Sequence, residues 1–410
     1  MALPSVRYPA APRVDVVDDY HGTLVPDPYR WMEDPENPDL KQWLADQDAI
    51  CQSWLDAVAH KATWRAAQAR LLPGAISPPA VRGERLFFHR RAPGEQHAKF
   101  VVREADGTER ILFDPTAVDA SGLTTLDVAT VSPDGACVVV GVSSGGDEDT
   151  AISVFDVATL ERLDGPIERT RYTAIAWMPS GNEFFYVRRL TPEPFNRRVF
   201  RHVIGQPITS DVLVFGEGRD PSTYYGLDIS LDGDWLAITA AVGTEPRNDL
   251  YLYDVTTGAA PVALAEGLDA QHWAHFVHGR IFVNTTLDAP KGRMVEVLDP
   301  AAGPSAWRTV LPEHDTAVID EVATVEEGFL ISRSDHAVSE VIVASYDGGD
   351  LKVVALPGAG TAMISGRYDH GSGGFVTYTD FVSAPTVYAL DTSTGATSEW
   401  ATTPGARPAS

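Results

Sequence analysis

The sequence predicts an all-β protein, a seven-bladed β-propeller with four-stranded blades, preceded by an N-terminal helical arm. Three observations predict it. Turn glycines recur at Gly83, Gly135, Gly181, Gly233, Gly279, Gly328 and Gly374, at spacings of 52, 46, 52, 46, 49 and 46 residues, each introducing a short alternating apolar run. A second mark recurs in phase with the first: strands end in acidic turns such as Asp156-Val-Ala-Thr, Asp254-Val-Thr-Thr-Gly and Asp391-Thr-Ser-Thr-Gly. Ahead of this repeat the period is helical instead, with Leu40, Trp43, Leu44, Ile50, Cys51, Trp54, Leu55 and Val58 falling at three- and four-residue steps.

In chain order, residues 1–72 are the arm. Its helix runs from Pro38 to Ala59 with Asp39 as the expected N-cap, and the pattern resumes over His60 to Leu72. Pro73-Gly74 and Pro78-Pro79 stop it, so 73–80 reads as a linker. Residues 81–402 are the propeller and 403–410 a polar tail. A repeat of about 45 to 50 residues made only of strands and turns is what a four-stranded blade needs. Two stacked β-sandwiches are the competing architecture, but they would not hold one turn signature in register throughout. Because the last unit ends near Trp400 with no strand to spare, no strand is expected to be exchanged between the first and last blades. Their seam should then rest on side-chain packing without ladder hydrogen bonds, as the weak point of the ring.

Composition removes several functions. Lys and Arg total 32 against 57 Asp and Glu, a net charge of -25, which repels nucleic acid over most of the surface. Two unlike cysteines, Cys51 and Cys137, fit a reducing compartment, so the cytoplasm is the default location. No run of about 18 apolar residues occurs, and neither a membrane span nor a signal peptide is expected.

The candidate chemistry is thin. Gly141-Val-Ser143-Ser-Gly145 spells a nucleophile elbow, yet that motif requires a strand turning sharply into a helix. Here Gly146-Asp-Glu-Asp149 is a turn and Ile152-Ser-Val-Phe-Asp-Val alternates as the next strand, so a blade hairpin explains Ser143 better. His272, His275 and His278 are evenly spaced, but three-residue steps on a strand send side chains to opposite faces, so no metal site is expected. Pairs such as Asp18-Asp19, or Asp147 with Asp149, read as turn formers and solvated charges. Trp177, Phe184, Phe185, Tyr186, Tyr224, Tyr225, Trp235 and Trp273 read mostly as packing between blades. No cofactor is expected.

The stretch Tyr8-Pro9, Asp18-Asp-Tyr-His-Gly22, Val25 and Asp27-Pro-Tyr-Arg-Trp-Met-Glu-Asp-Pro35 resembles the N-terminal signature of the prolyl oligopeptidase family of serine peptidases. The resemblance continues through Phe113-Asp-Pro115, Ser132-Pro-Asp-Gly135, Ile175-Ala-Trp-Met-Pro-Ser-Gly181 and Leu311-Pro-Glu-His314. It implies a propeller that covers an α/β-hydrolase domain holding the Ser, Asp and His triad, C-terminal to the propeller, and substrates that are proline-containing peptides. The sequence stops at Ser410, so this chain is expected to hold no catalytic residue and to be inactive alone. The resemblance further implies substrate-facing positions at Asp147, Tyr172 and Thr244, although Glu148 stands where an aromatic residue is usual and Ala241 where relatives have arginine. It also implies that the arm's Trp43, Leu44, Trp54 and Leu55 dock on a hydrolase domain, in cis or in trans. The alternative is a non-catalytic propeller module that binds a peptide or protein. An independent hydrolase using Ser143 is the third reading.

Overall fold

The computed structural model describes residues 7–192, 195–367 and 369–406, and the chain divides into two compact units, Met1–Leu72 and Pro73–Ser410. In the first unit, strands Val17–Tyr20 and Thr23–Pro26 form a hairpin across His21-Gly22. Both turn residues have positive φ, and the Gly22 N–H donates to Asp19 at 2.6 Å. Arg30 then opens a single 3-10 turn, Arg30–Glu33, donating to Asp27 at 2.6 Å and pairing with Asp18. The indole N–H of Trp31 donates to the Pro12 carbonyl at 2.9 Å. The aromatic and acidic signature is therefore a local clasp.

Helix α1 spans Pro38–Ala57 and helix α2 spans Lys61–Leu71. The cap of α1 is Asn37 rather than Asp39: its side chain accepts from the Asp39 N–H, and Pro38 takes the first helical position, where its missing N–H costs nothing. His60 at φ 66 separates the two helices. Leu40 is buried, Trp43 and Trp54 are half-buried, and Leu44 and Leu55 are exposed.

The second unit consists of seven antiparallel sheets in residues 75–113, 124–167, 175–215, 223–265, 272–311, 318–353 and 361–402. Each is a blade of consecutive strands, A to D from the channel outwards. Strand A of blade 1 is broken: Ala75–Ile76 and Ala80–Arg82 both pair with Arg85–Arg91, and Pro78-Pro79 between them have no N–H to give the ladder. Part of the stretch read as a linker, 75–76 and 80, is thus the innermost strand of the first blade.

The middle strands are buried on both faces, which is why they read as continuous apolar runs. In blade 3, Phe184 and Tyr186 pack with Val139, Ile152 and Val154 of blade 2. Phe185 and Val187, pointing the other way, pack with Leu236, Ile238 and Tyr251 of blade 4. Each such side chain removed from water contributes about 1.5–3 kcal/mol. Seven packed interfaces of this kind close the ring.

At the seam between blades 7 and 1 no strand is exchanged among the described residues. Trp400 packs edge-on to Phe88 at 5.3 Å and to Phe375 at 5.9 Å, under the Arg103 guanidinium. Packing is not the whole of it: the Gly74 N–H donates to the Pro404 carbonyl at 2.7 Å, so one backbone hydrogen bond ties the two ends. Glycine is required there, since a Cβ would lie 2.1 Å from the Arg91 carbonyl.

The propeller has two unlike faces. One carries the A–B and C–D hairpins. The other carries the B–C hairpins and the blade-to-blade connectors, and it is also where strand A of blade 1 begins and strand D of blade 7 ends.

Candidate functional site on the connector face

Asp147, Tyr172 and Thr244 all lie on the connector face: Asp147 in the B–C hairpin of blade 2, Tyr172 in the connector from blade 2 to blade 3, and Thr244 in the B–C hairpin of blade 4. Of the three, Tyr172 sits in a dense cluster. Its hydroxyl donates to the Glu148 carboxylate at 2.5 Å, and the Arg171 guanidinium pairs with the same carboxylate while lying 4.9 Å over the Tyr172 ring. The hydrogen bonds from Tyr172 and then Arg171 hold the Glu148 carboxyl below its ordinary range. Asp147 is the neighbouring turn former, accepting from the Asp149 N–H at 2.9 Å, while Asp149 pairs with Arg189 at 2.5 Å. Thr244 is exposed beside Gly243 in its own hairpin.

The cluster extends to Tyr224, which the sequence read as packing between blades, and to Arg197, which it did not single out. Tyr224, at the start of blade 4, has its ring 6.0 Å from that of Tyr172, and the guanidinium of Arg197 lies over it at 3.9 Å. Tyr224 and Trp273 are exposed, unlike Trp177, Phe184, Phe185, Tyr186 and Tyr225, which are inter-blade core. Register brings the arginines together: strands Glu183–Arg189 and Arg197–Val203 pair so that Arg188 faces Arg198 and Arg189 faces Arg197. The sequence signal for this is two arginine doublets flanking a hairpin in an acidic chain.

Ser143 lies within strand Cys137–Ser144, not at a strand-to-helix turn, and is only 6% exposed, with its hydroxyl 3.0 Å from that of Thr125. The three histidines diverge. His272 is buried against Trp307 with Nδ1 2.9 Å from the Thr285 hydroxyl, and His278 is an exposed turn residue. His275 lines a recess of about 410 Å³ on the channel, toward the hairpin face, with Arg82, Asp228, Arg367 and His370. There, enclosure by the blades pushes the Asp228 carboxyl up to about 6, although it keeps water contact, and burial pushes His275 down to about 4. Among the described residues no group of His, Cys, Asp or Glu is arranged to hold a metal ion, and no helix is long and apolar enough to cross a membrane.

The chain is thus a closed ring of seven four-stranded blades, a β-propeller, with an aromatic and charged cluster on the face where its chain ends emerge. The family model for the prolyl oligopeptidase N-terminal β-propeller domain matches residues 8–403, and the chain belongs to that family. It is 24% identical over 401 residues to the prolyl endopeptidase of Elizabethkingia meningoseptica, covering 95% of this chain and 56% of that protein. A solved structure from a study of two prolyl endopeptidases superposes with a TM-score of 0.88 at 28% identity, over 97% of this chain and 60% of the other. Prolyl oligopeptidase B from Galerina marginata, solved with a 35-residue substrate, shares the fold with a TM-score of 0.83 at 22% identity, over 97% of this chain and 60% of the other. The chain thus spans a little over half the length of the relatives it matches.

Proposed function

We propose that this chain is the propeller portion of a prolyl oligopeptidase-like serine peptidase, a cytoplasmic lid that controls access of proline-containing oligopeptides to an α/β-hydrolase domain supplied in cis or in trans. One observation carries the reading: Asp147, Tyr172 and Thr244 lie on the face from which the first propeller strand starts and the last one ends. A domain continuing from the last strand would meet that face, and peptide held between the two would touch those residues. In the arm, Trp43, Leu44, Trp54 and Leu55 are the proposed docking residues for the same domain, and Leu44 and Leu55 are exposed.

The division of labour follows from chemistry. Amide cleavage needs an activated nucleophile beside a base and an oxyanion hole. With Ser143 buried against another hydroxyl, the ring has none among the candidates the sequence offers. What a ring can supply is exclusion: it sequesters the reaction from water and admits only chains slender enough to enter.

The test is an activity measurement in two arms. The chain alone, given a proline-containing chromogenic peptide and a serine-directed phosphonate, should show neither turnover nor labelling; labelling at Ser143 overturns the reading. A chimera joining residues 1–403 to a relative's hydrolase domain should cleave short peptides after proline and spare folded proteins. A chimera that binds peptide without cleaving it would instead favour a non-catalytic interaction module.

A further inference from the structure

Arg197 is 2% exposed, and its Nε and Nη1 are sealed from water without a hydrogen-bond partner. A buried cation left unpaired is costly, and folded proteins ordinarily supply a carboxylate. Among the described residues, the neighbouring carboxylates Glu148 and Asp149 are engaged, Glu148 by Arg171 and Tyr172 and Asp149 by Arg189. The near neighbours add to the cost, because Arg189 lies directly across the strand pair from Arg197, and like charges placed opposite each other destabilise a sheet. Arg188, across from Arg198, likewise has Nε and Nη1 buried without a partner. Burial, with Arg189 and Arg171 adding to it, pulls the Arg197 guanidinium below its ordinary value, and only Tyr224 opposes this. Among the described residues of a chain of net charge -25, Arg197 and Arg188 thus keep buried guanidinium donors with no carboxylate partner.

The flanking groups define what would relieve it. The planar guanidinium lies 3.9 Å over the Tyr224 ring and 6.0 Å from that of Tyr172, and these rings are 37% and 51% exposed. A fork of donors lying against aromatic faces suits a carboxylate, which accepts two parallel N–H bonds while the atoms next to it pack on the rings. Tyr172 is the more exposed wall. It has φ 57, and its hydroxyl is held by Glu148, which has φ 57 in a hairpin after two glycines of positive φ.

We propose that Arg197, with Arg171, forms a carboxylate-binding subsite between Tyr172 and Tyr224 that takes an acidic side chain or the C-terminal carboxylate of a bound peptide. This rests on the reading of the connector face as peptide-binding. An incoming carboxylate takes the donors of Arg197 once the Tyr172 ring shifts, and competes with Glu148 for Arg171.

The experiment uses the full chain. Propionate is titrated while the Nε–H resonance of Arg197, assigned by its loss in Arg197→Gln, is followed in 1H–15N spectra; chloride at equal ionic strength is the control. Peptides of one proline-containing sequence are then compared by calorimetry as Glu against Gln variants, and as C-terminal acid against amide. Propionate should shift the Arg197 resonance saturably. Either the Glu or the acid form should bind at least tenfold tighter than its neutral counterpart, and Arg197→Gln should bring that ratio to about one. If Arg197→Gln does not fold, Arg171→Gln, on a partly exposed side chain, must lower the same ratio. No response to propionate, or equal binding of charged and neutral peptides, overturns the subsite and leaves the peptide reading of the face standing. A propionate response with no peptide binding of any kind overturns peptide as the ligand, and the proposed function with it.

Discussion

The two faces of the propeller are built from the same strands and end in opposite ways. On the hairpin face, blades 2 and 4 repeat one set of bonds: the hydroxyls of Ser132 and Ser230 donate to Asp134 and Asp232 and accept from the N–H groups of Cys137 and Trp235. The connector face repeats a smaller set, the N–H and hydroxyl of Ser121 and of Ser222 donating to Asp119 and Asp220, and differs in its strain. Among the described residues, eleven non-glycine propeller positions have positive φ, and seven of them lie on the connector face, namely Glu148, Arg169, Tyr172, Asn196, Asp288, His336 and Ala337. The same face holds the crowded arginines of blade 3. A repeated, self-satisfied turn is what stability alone selects, whereas strain and unpaired charge persist where something else is being served.

Substitutions can break or sharpen this contrast. The largest effect is expected on the hairpin face at Gly328, where φ is 154 and a Cβ would lie 1.9 Å from the Ala344 carbonyl. Gly328→Ala should cost about 3–5 kcal/mol in chemical denaturation, and a loss below about 1 kcal/mol would show that the turn yields. Next is Ser132→Ala, which leaves the Cys137 N–H without its 2.9 Å acceptor and should cost about 1–3 kcal/mol. On the connector face the sign changes. Arg197→Leu should leave stability unchanged or raise it by about 1 kcal/mol, since a buried cation without a carboxylate is replaced by an apolar side chain. A loss above about 2 kcal/mol would make Arg197 a structural residue and remove the contrast.

The smallest effect is in the channel recess. Asp228, raised to about 6, binds its proton more tightly in the folded state, so its contribution to stability is present at low pH and is lost as pH rises from about 4 to 6. His275, lowered to about 4, does the reverse: its contribution is present above its unfolded value and is lost as pH falls from about 6.5 toward 4. The two partly cancel in this window. Asp228→Asn should therefore make stability rise more steeply with pH between 4 and 6.5, and His275→Gln should make it rise less steeply or fall. Thermal melts across that range read both slopes, and parallel profiles for the two variants would contradict the assignment.

The blades are legible in the sequence because the A–B turns enforce glycine: Gly135, Gly181, Gly233 and Gly279 all have φ between 70 and 79, so they mark the period. The first inner strand is hidden by Pro78-Pro79, which interrupt its ladder and imitate a linker. The cap of α1 is displaced by two residues because Pro38 can begin a helix as readily as precede one. The site is another matter. The aromatic pair Tyr172 and Tyr224 stands 52 residues apart, and Arg189 meets Arg197 only through strand register. Nothing in local periodicity reports such a meeting, and resemblance alone led to Tyr172.

Each sheet is made of consecutive strands, and the Gly74–Pro404 hydrogen bond leaves the two ends of the ring 2.7 Å apart. Such a circle has no privileged first blade. A circular permutant of the propeller, with its old termini bridged by a few residues and a new opening cut at Ser121-Gly122, should close around the same channel. The order in which the blades are synthesised would then be a matter of descent, while the shape belongs to the circle.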